Sequence, residues 1–152
     1  MDIDAATPMF CRYSQWIGET LSRSKAAGRP WQIIGNQVVM AKIKGPDISR
    51  MMPPEQFQQM VASLPEDVRP QVAAAIQLFK LGLPFNLDSW DGYPAGRERL
   101  YETFAAAGVA PIVLSGDSHA FWVNELHDKD GARRAVEFGT SSISSPSPGD
   151  HV

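Results

Sequence analysis

The run Ala110-Pro-Ile-Val-Leu-Ser115, passing directly into Gly116-Asp-Ser-His119, constrains this chain more than any other feature. It has the length of a strand and is too short for a helix, and no polar residue alternates along it, so it reads as a buried parallel strand. Such a strand delivers polar side chains from its carboxyl end, where sites in sheets flanked by helices are built. An α/β fold follows, with the first candidate site at residues 116–119.

The rest of the chain is consistent with that class. From Tyr13 to Lys25, Tyr13, Ile17 and Leu21 recur every four residues beside Trp16, with Glu19, Arg23 and Lys25 polar, which predicts an amphipathic helix closed by Gly28 and Pro30. Trp31 to Met40 carries Ile33, Ile34, Val38 and Val39 and predicts a buried strand interrupted at Gly35. Prolines and Gly45 make a loop of 44–54. Helical stretches follow at 55–62 and, with Val68, Val72, Ile76 and Phe79 in register, up to Gly82. This helical pair, about 54–82, carries no catalytic signature and reads as an insertion. Asp91-Gly-Tyr-Pro94 starts a further helix, with Asp91 or a neighbour as cap, and Gly108 ends it. A β-hairpin is predicted from 121–126 and 134–138 around Asp128-Lys-Asp-Gly131, and 141–148 is irregular.

With 152 residues and 43% hydrophobic content, the chain has material for one compact domain or part of one. A net charge of −3 and a pI near 5.5 offer no basic stripe for a nucleic-acid backbone or an anionic membrane. An enzyme for phosphate esters with this balance needs local positive charge, and metal ions are the natural source. Cys11 is the single cysteine, so no internal disulfide forms. Residues 1–8 carry acids where a secretory signal carries bases, no apolar h-region follows, and no apolar run is long enough to cross a membrane, so localisation is not legible.

Gly116-Asp-Ser-His119 places a carboxylate and an imidazole two residues apart. An extended backbone aims both at one cleft, and both are ligands for divalent or trivalent metals. Taken alone, the motif is better explained by a capped turn with a solvated histidine. Asp88 and Asp91 either line a site or form local caps, and Trp90 and Tyr93 either wall a cleft or pack. Asn36 and Gln37 interrupt an apolar strand, as a strand-terminating amide does. Arg97 and Arg99 either face phosphate or, as helix-surface arginines usually do, stand solvated or paired, and His127 and His151 read as exposed.

In order along the chain, Asp88-Ser-Trp-Asp-Gly-Tyr-Pro94 with Arg97 and Arg99, Val113-Leu-Ser-Gly-Asp-Ser-His119, and Glu137-Phe-Gly-Thr-Ser-Ser-Ile-Ser-Ser145 closely resemble the signature of PhoD-like phosphatases. Gln15-Trp16, Leu21 to Ser24 and Trp31 to Met40 also look like that family's approach to its catalytic half. The resemblance implies a calcineurin-like α/β/β/α metallophosphatase sandwich, with residues 1–152 forming the C-terminal portion of a single such domain, truncated at both ends. It implies a metal-dependent phosphoric ester hydrolase, alkaline phosphatase or phosphodiesterase, in which metal-activated water attacks phosphorus. Asp117 and His119 are the implied catalytic and metal-site residues, with calcium and iron the implied metals. Beside them, Asp88, Trp90, Asp91, Tyr93 and Asn36 are the candidate lining residues. Family members are commonly exported.

The family's other ligands, aspartates and a cysteine, belong to segments preceding any matched here, and Cys11 lies outside that cysteine's context. Weak metal binding and little activity are therefore expected of the isolated chain, whose partners are a phosphate ester and the missing remainder of its own domain. Two alternatives stand beside this reading. A serine hydrolase built on Ser115 or Ser118 with His119 lacks the Gly-x-Ser-x-Gly elbow. A non-catalytic binding or assembly module would use the apolar strands that an incomplete sandwich exposes.

Overall fold

The computed structural model describes residues 7–44, 50–84 and 86–141, with side chains from residue 12 onward. In chain order its elements are α1 (Thr7–Ala26), β1 (Ile33–Asn36), α2 (Pro54–Ser63), α3 (Arg69–Lys80), α4 (Pro94–Ala106), β2 (Ile112–Ser115), β3 (Trp122–His127) and β4 (Arg133–Gly139). They fall into two compact units, Met1–Ala41 with Tyr93–Val152, and Lys42–Gly92.

The first unit is built on a four-stranded mixed sheet ordered β1-β2-β4-β3. β2 runs parallel to both β1 and β4, and β3 returns antiparallel along β4. The apolar run at 110–115 is thus a central parallel strand, as expected. Along β2 and β4 the odd-numbered residues Val113, Ser115, Ala135, Glu137 and Gly139 are buried, the period of two that a pleated strand imposes. α4 packs against β4 and α1 against α4. Leu100, Tyr101 and Phe104 of α4 and Leu21 of α1 are buried and build the core with Val113, Leu126 and Ala135.

The two helices meet along Gly18, where a Cβ would lie 3.1 Å from Thr103 Cγ2. Their C-terminal ends are tied together by Lys25, whose Nζ donates to the Gly108 carbonyl at 2.7 Å. Gly108 adopts a φ of 64°, so it supplies the left-handed turn that ends α4 and offers a carbonyl to a cation.

The opposite sheet face is open. Gly35, Leu114, Phe138 and Val123 lie in register across it, and Leu114, Phe138 and Val123 are 46%, 45% and 79% exposed. Burial of β2 is therefore one-sided.

Three expectations are corrected. The strand predicted over 31–40 is limited to Ile33–Asn36, with Trp31 and Ile33 exposed and burial resuming only at Val39 and Met40. Tyr13 and Trp16 are exposed, so the apolar stripe of α1 covers the core only through Ile17 and Leu21. The N-cap of α4 is Tyr93, with no side-chain cap bond; Asp91 instead accepts the Ile43 backbone N–H at 2.8 Å. The predicted hairpin is present, turning at Asp128–Gly131 with Gly131 at a φ of 81°.

The second unit holds α2 and α3, which pack on each other, with Ile76 buried. Each begins with proline in its first turn, where the missing N–H costs nothing. Arg69 joins them by donating from Nε to the Leu64 carbonyl at 2.8 Å and from Nη2 to the Ala62 carbonyl at 2.7 Å. No described helix of either unit is long and apolar enough to cross a membrane.

Candidate functional site

β2 stops at Ser115, and the chain does not continue extended. Asp117 and His119 adopt φ values of 60° and 52°, the only non-glycine residues with positive φ among those described. The expectation of an extended backbone presenting both side chains is thereby corrected. A left-handed residue bearing a Cβ costs roughly 1–2 kcal/mol, though Asp and His tolerate it better than most. Two such residues flanking Ser118 mark a loop whose shape is imposed by its surroundings, and strain of this kind clusters at functional sites. Both Asp117 and His119 are exposed at the carboxyl end of the central strand.

Beneath this loop lies a buried polar network. Glu137, on β4 and fully buried, accepts four hydrogen bonds. The Met40 N–H and the Ser115 hydroxyl donate to Oε1, each at 2.6 Å, and the Ala41 N–H and Asn124 Nδ2 donate to Oε2 at 3.1 and 3.0 Å. A carboxylate is acceptor-only, and these four donors occupy it on both oxygens. Asn36 Nδ2 donates to the Val38 carbonyl at 2.5 Å and to Ser115 Oγ at 3.2 Å, which links the ends of β1 and β2. Arg97, read from sequence as a solvated helix-surface residue, is instead buried and donates from Nη1 to the Met40 carbonyl at 3.1 Å. Its i, i+3, i+4, i+7 spacing to Leu100, Tyr101 and Phe104 puts Arg97 on the buried face of α4; what the spacing does not reveal is the backbone carbonyl that receives the guanidinium there.

The loop is also held from its flank. Trp122 Nε1 donates to Ser118 Oγ at 2.8 Å, and Ser118 Oγ donates to the Ala120 carbonyl at 3.2 Å. Thr140 N–H donates to the Ser115 carbonyl at 3.0 Å, extending the β2–β4 ladder to the loop's base. Ser115 and Ser118 are thus committed to Glu137 and to Trp122 and Ala120, an arrangement foreign to a serine nucleophile activated by a histidine.

The chain matches the family model of PhoD-like phosphatases over residues 11–152. It belongs to that family. A stretch of 44 residues is 46% identical to alkaline phosphatase D of Bacillus subtilis (strain 168), covering 28% of this chain and 8% of that relative's length. No solved structure matches the chain. The PhoD-like match embraces both units and every candidate residue named from sequence.

Of those candidates, the first unit brings Asn36, Asp117 and His119 to the carboxyl ends of neighbouring parallel strands β1 and β2. Tyr93, 66% exposed, stands at the start of α4. Asp88, Trp90 and Asp91 belong to the second unit, where Trp90 and Asp91 form a short 3-10 turn and Asp88 is exposed. A carboxylate oxygen and an imidazole nitrogen suit calcium and iron respectively. Asp117 and His119 supply these two donor types within one loop; among the described residues, no group of three or more His, Cys, Asp or Glu that could hold a metal ion is gathered. A groove of about 650 Å³ between α1 and α4, lined by Ser14, Gly18, Ser22, Thr103 and Ala107 among others, contains none of the candidates.

Sequence reasoning gave no role to Glu137, Asn124 or Trp122, and considered Ser115 only as a nucleophile in the serine-hydrolase alternative. For Glu137 a signal existed: it is the lone acid in the strand segment Ala135-Val-Glu-Phe138, and an acid facing a core must be hydrogen-bonded.

Proposed function

We propose that this chain carries part of the active site of a PhoD-like, metal-dependent phosphoric ester hydrolase, an alkaline phosphatase or phosphodiesterase, with Asp117 and His119 as two metal ligands. The observation that carries the reading is the strained left-handed pair at the end of central strand β2, within a PhoD-like match of nearly the whole chain. Calcium or iron bound there supplies the positive charge that draws in phosphate oxygens and acidifies water, which the net negative chain does not supply itself. Asp117 offers a carboxylate to the cation, and His119 offers a ring nitrogen when neutral. Asn36 lines the approach between β1 and β2, and Tyr93 lines the substrate side.

In the same reading the mixed sheet is one of the two sheets of a calcineurin-like sandwich, and the open apolar face receives the second. Two protein ligands are fewer than a catalytic metal site uses, so binding by this chain alone is weak. Titration of the chain with calcium and with ferric iron tests the proposal. Binding that is lost in both Asp117→Ala and His119→Ala is the expected result, and binding untouched by these changes overturns it.

The open face also favours a second reading, a non-catalytic binding or assembly module. Leu114, Phe138, Val123 and Ile33 form a contiguous apolar surface of the kind that marks an interface. Under that reading, the two alanine variants leave assembly unchanged, while polar substitutions on the sheet face abolish it.

A further inference from the structure

We infer that Trp122, seated over Gly139, is a positioning residue for the Asp117 and His119 pair. The inference rests on reading that pair as the metal-site residues. Ser118 stands between the two left-handed residues, and its hydroxyl is gripped from β3 by the indole N–H at 2.8 Å. The same hydroxyl donates to the Ala120 carbonyl at 3.2 Å, so Trp122 both fixes Ser118 and completes a short closed circuit around residues 118–122.

Trp122 reaches back because of what is missing at residue 139. Trp122 and Gly139 are register partners on β3 and β4. A Cβ at Gly139 would lie 2.8 Å from Trp122 Cδ1 and 3.0 Å from its Cβ, closer than side-chain carbons approach. Gly139 has no positive φ, so glycine is needed there for space and not for conformation. Any side chain at 139 lifts the indole from the sheet and away from Ser118. The Gly139 position of the Glu-Phe-Gly-Thr segment thereby acquires a purpose: it lets the indole clamp the Gly-Asp-Ser-His loop.

The test is a double-mutant cycle on the 152-residue chain. Trp122→Phe keeps the ring and removes the N–H; Ser118→Ala removes its acceptor. One-bond Cα–Hα coupling constants and heteronuclear NOEs at residues 117–119, read without metal, report whether the loop keeps its left-handed shape. Both single variants are expected to average the couplings and lower the NOEs. The double variant should be no worse than either, because one shared bond is removed. Gly139→Ala should do the same with both polar groups intact. Leu126→Ala, a core change remote from the loop, should lower the melting temperature without altering the couplings at 117 and 119, which separates positioning from general destabilisation. In parallel, calcium affinity should fall on the order of five-fold in each variant, the factor one net hydrogen bond is worth. Unchanged couplings in the single variants, or additive effects in the double, overturn the inference. A wild-type chain that binds no calcium while the couplings behave as expected overturns the metal reading and leaves the clamp standing.

Discussion

Glu137 shows what a single side chain can commit a fold to. Its oxygens each face one backbone N–H and one side-chain donor, so Glu137→Gln is disruptive despite its similar shape. Whichever way the amide turns, its NH2 confronts either the Met40 or the Ala41 N–H, and a backbone donor cannot rotate into an acceptor. A buried donor left unsatisfied costs about 1–3 kcal/mol, and here the repulsion adds to it. We expect Glu137→Gln to lower unfolding stability by about 3 kcal/mol, measured by urea denaturation. Asp117 tests backbone strain instead. It is exposed, where substitutions ordinarily change stability within about 0.5 kcal/mol. Asp117→Asn should stay within that range, since Asn tolerates the left-handed region, whereas Asp117→Val should cost about 1–2 kcal/mol. Equal stabilities for the two variants would contradict the φ of 60°.

At the scale of elements, the β3–β4 hairpin depends on Asp128. Its Oδ1 accepts the Asp130 and Ala132 N–H groups at 3.0 and 2.9 Å, and its Oδ2 accepts Arg134 Nε at 2.7 Å. Partial burial pushes its carboxyl upward, but the bonds from Ala132, Arg134 and Asp130 outweigh that and hold it below the usual carboxylate range. A depressed pKa in the folded state means that the ionised form supports the turn. That support is complete above the unfolded value, about 3.9, and is lost as pH falls through the lower folded value. Amide exchange in Trp122–His127 and Arg133–Gly139 should therefore quicken below about pH 3.9 relative to exchange in α4, and Asp128→Ala should bring the faster exchange to neutral pH. This hairpin was readable in advance because its turn chemistry is local. So were α4, α2 and α3, whose apolar periodicity and prolines are also local signals. The length of β1 was not, because Val38 and Val39 have strand propensity but no partner strand to pair with; pairing is decided across the sheet and not along the chain.

For the whole molecule, the open sheet face is the feature with the largest consequence. A parallel pair of strands is ordinarily covered on both faces, and here Leu114, Phe138 and Val123 remain 46%, 45% and 79% exposed. The isolated 152-residue chain should bind a hydrophobic dye such as ANS and sediment as concentration-dependent oligomers. Val123→Lys with Phe138→Lys, which are register partners on β3 and β4, should return it to a monomer while leaving its helical circular dichroism intact. A wild-type chain that is monomeric and binds no dye would show that the face is not an interface. The α/β class, a central strand within 110–115, the hairpin and the PhoD-like membership were legible in the sequence, because each is written in local periodicity, turn residues or motif order. Only the assembled fold shows that the Arg97 guanidinium meets the Met40 carbonyl, that Glu137 anchors three segments and that Asp117 and His119 are left-handed. Those facts depend on which distant residues meet, since burial and hydrogen-bond satisfaction belong to a neighbourhood assembled from Met40, Ser115, Asn124 and Trp122 and not to any one stretch of chain.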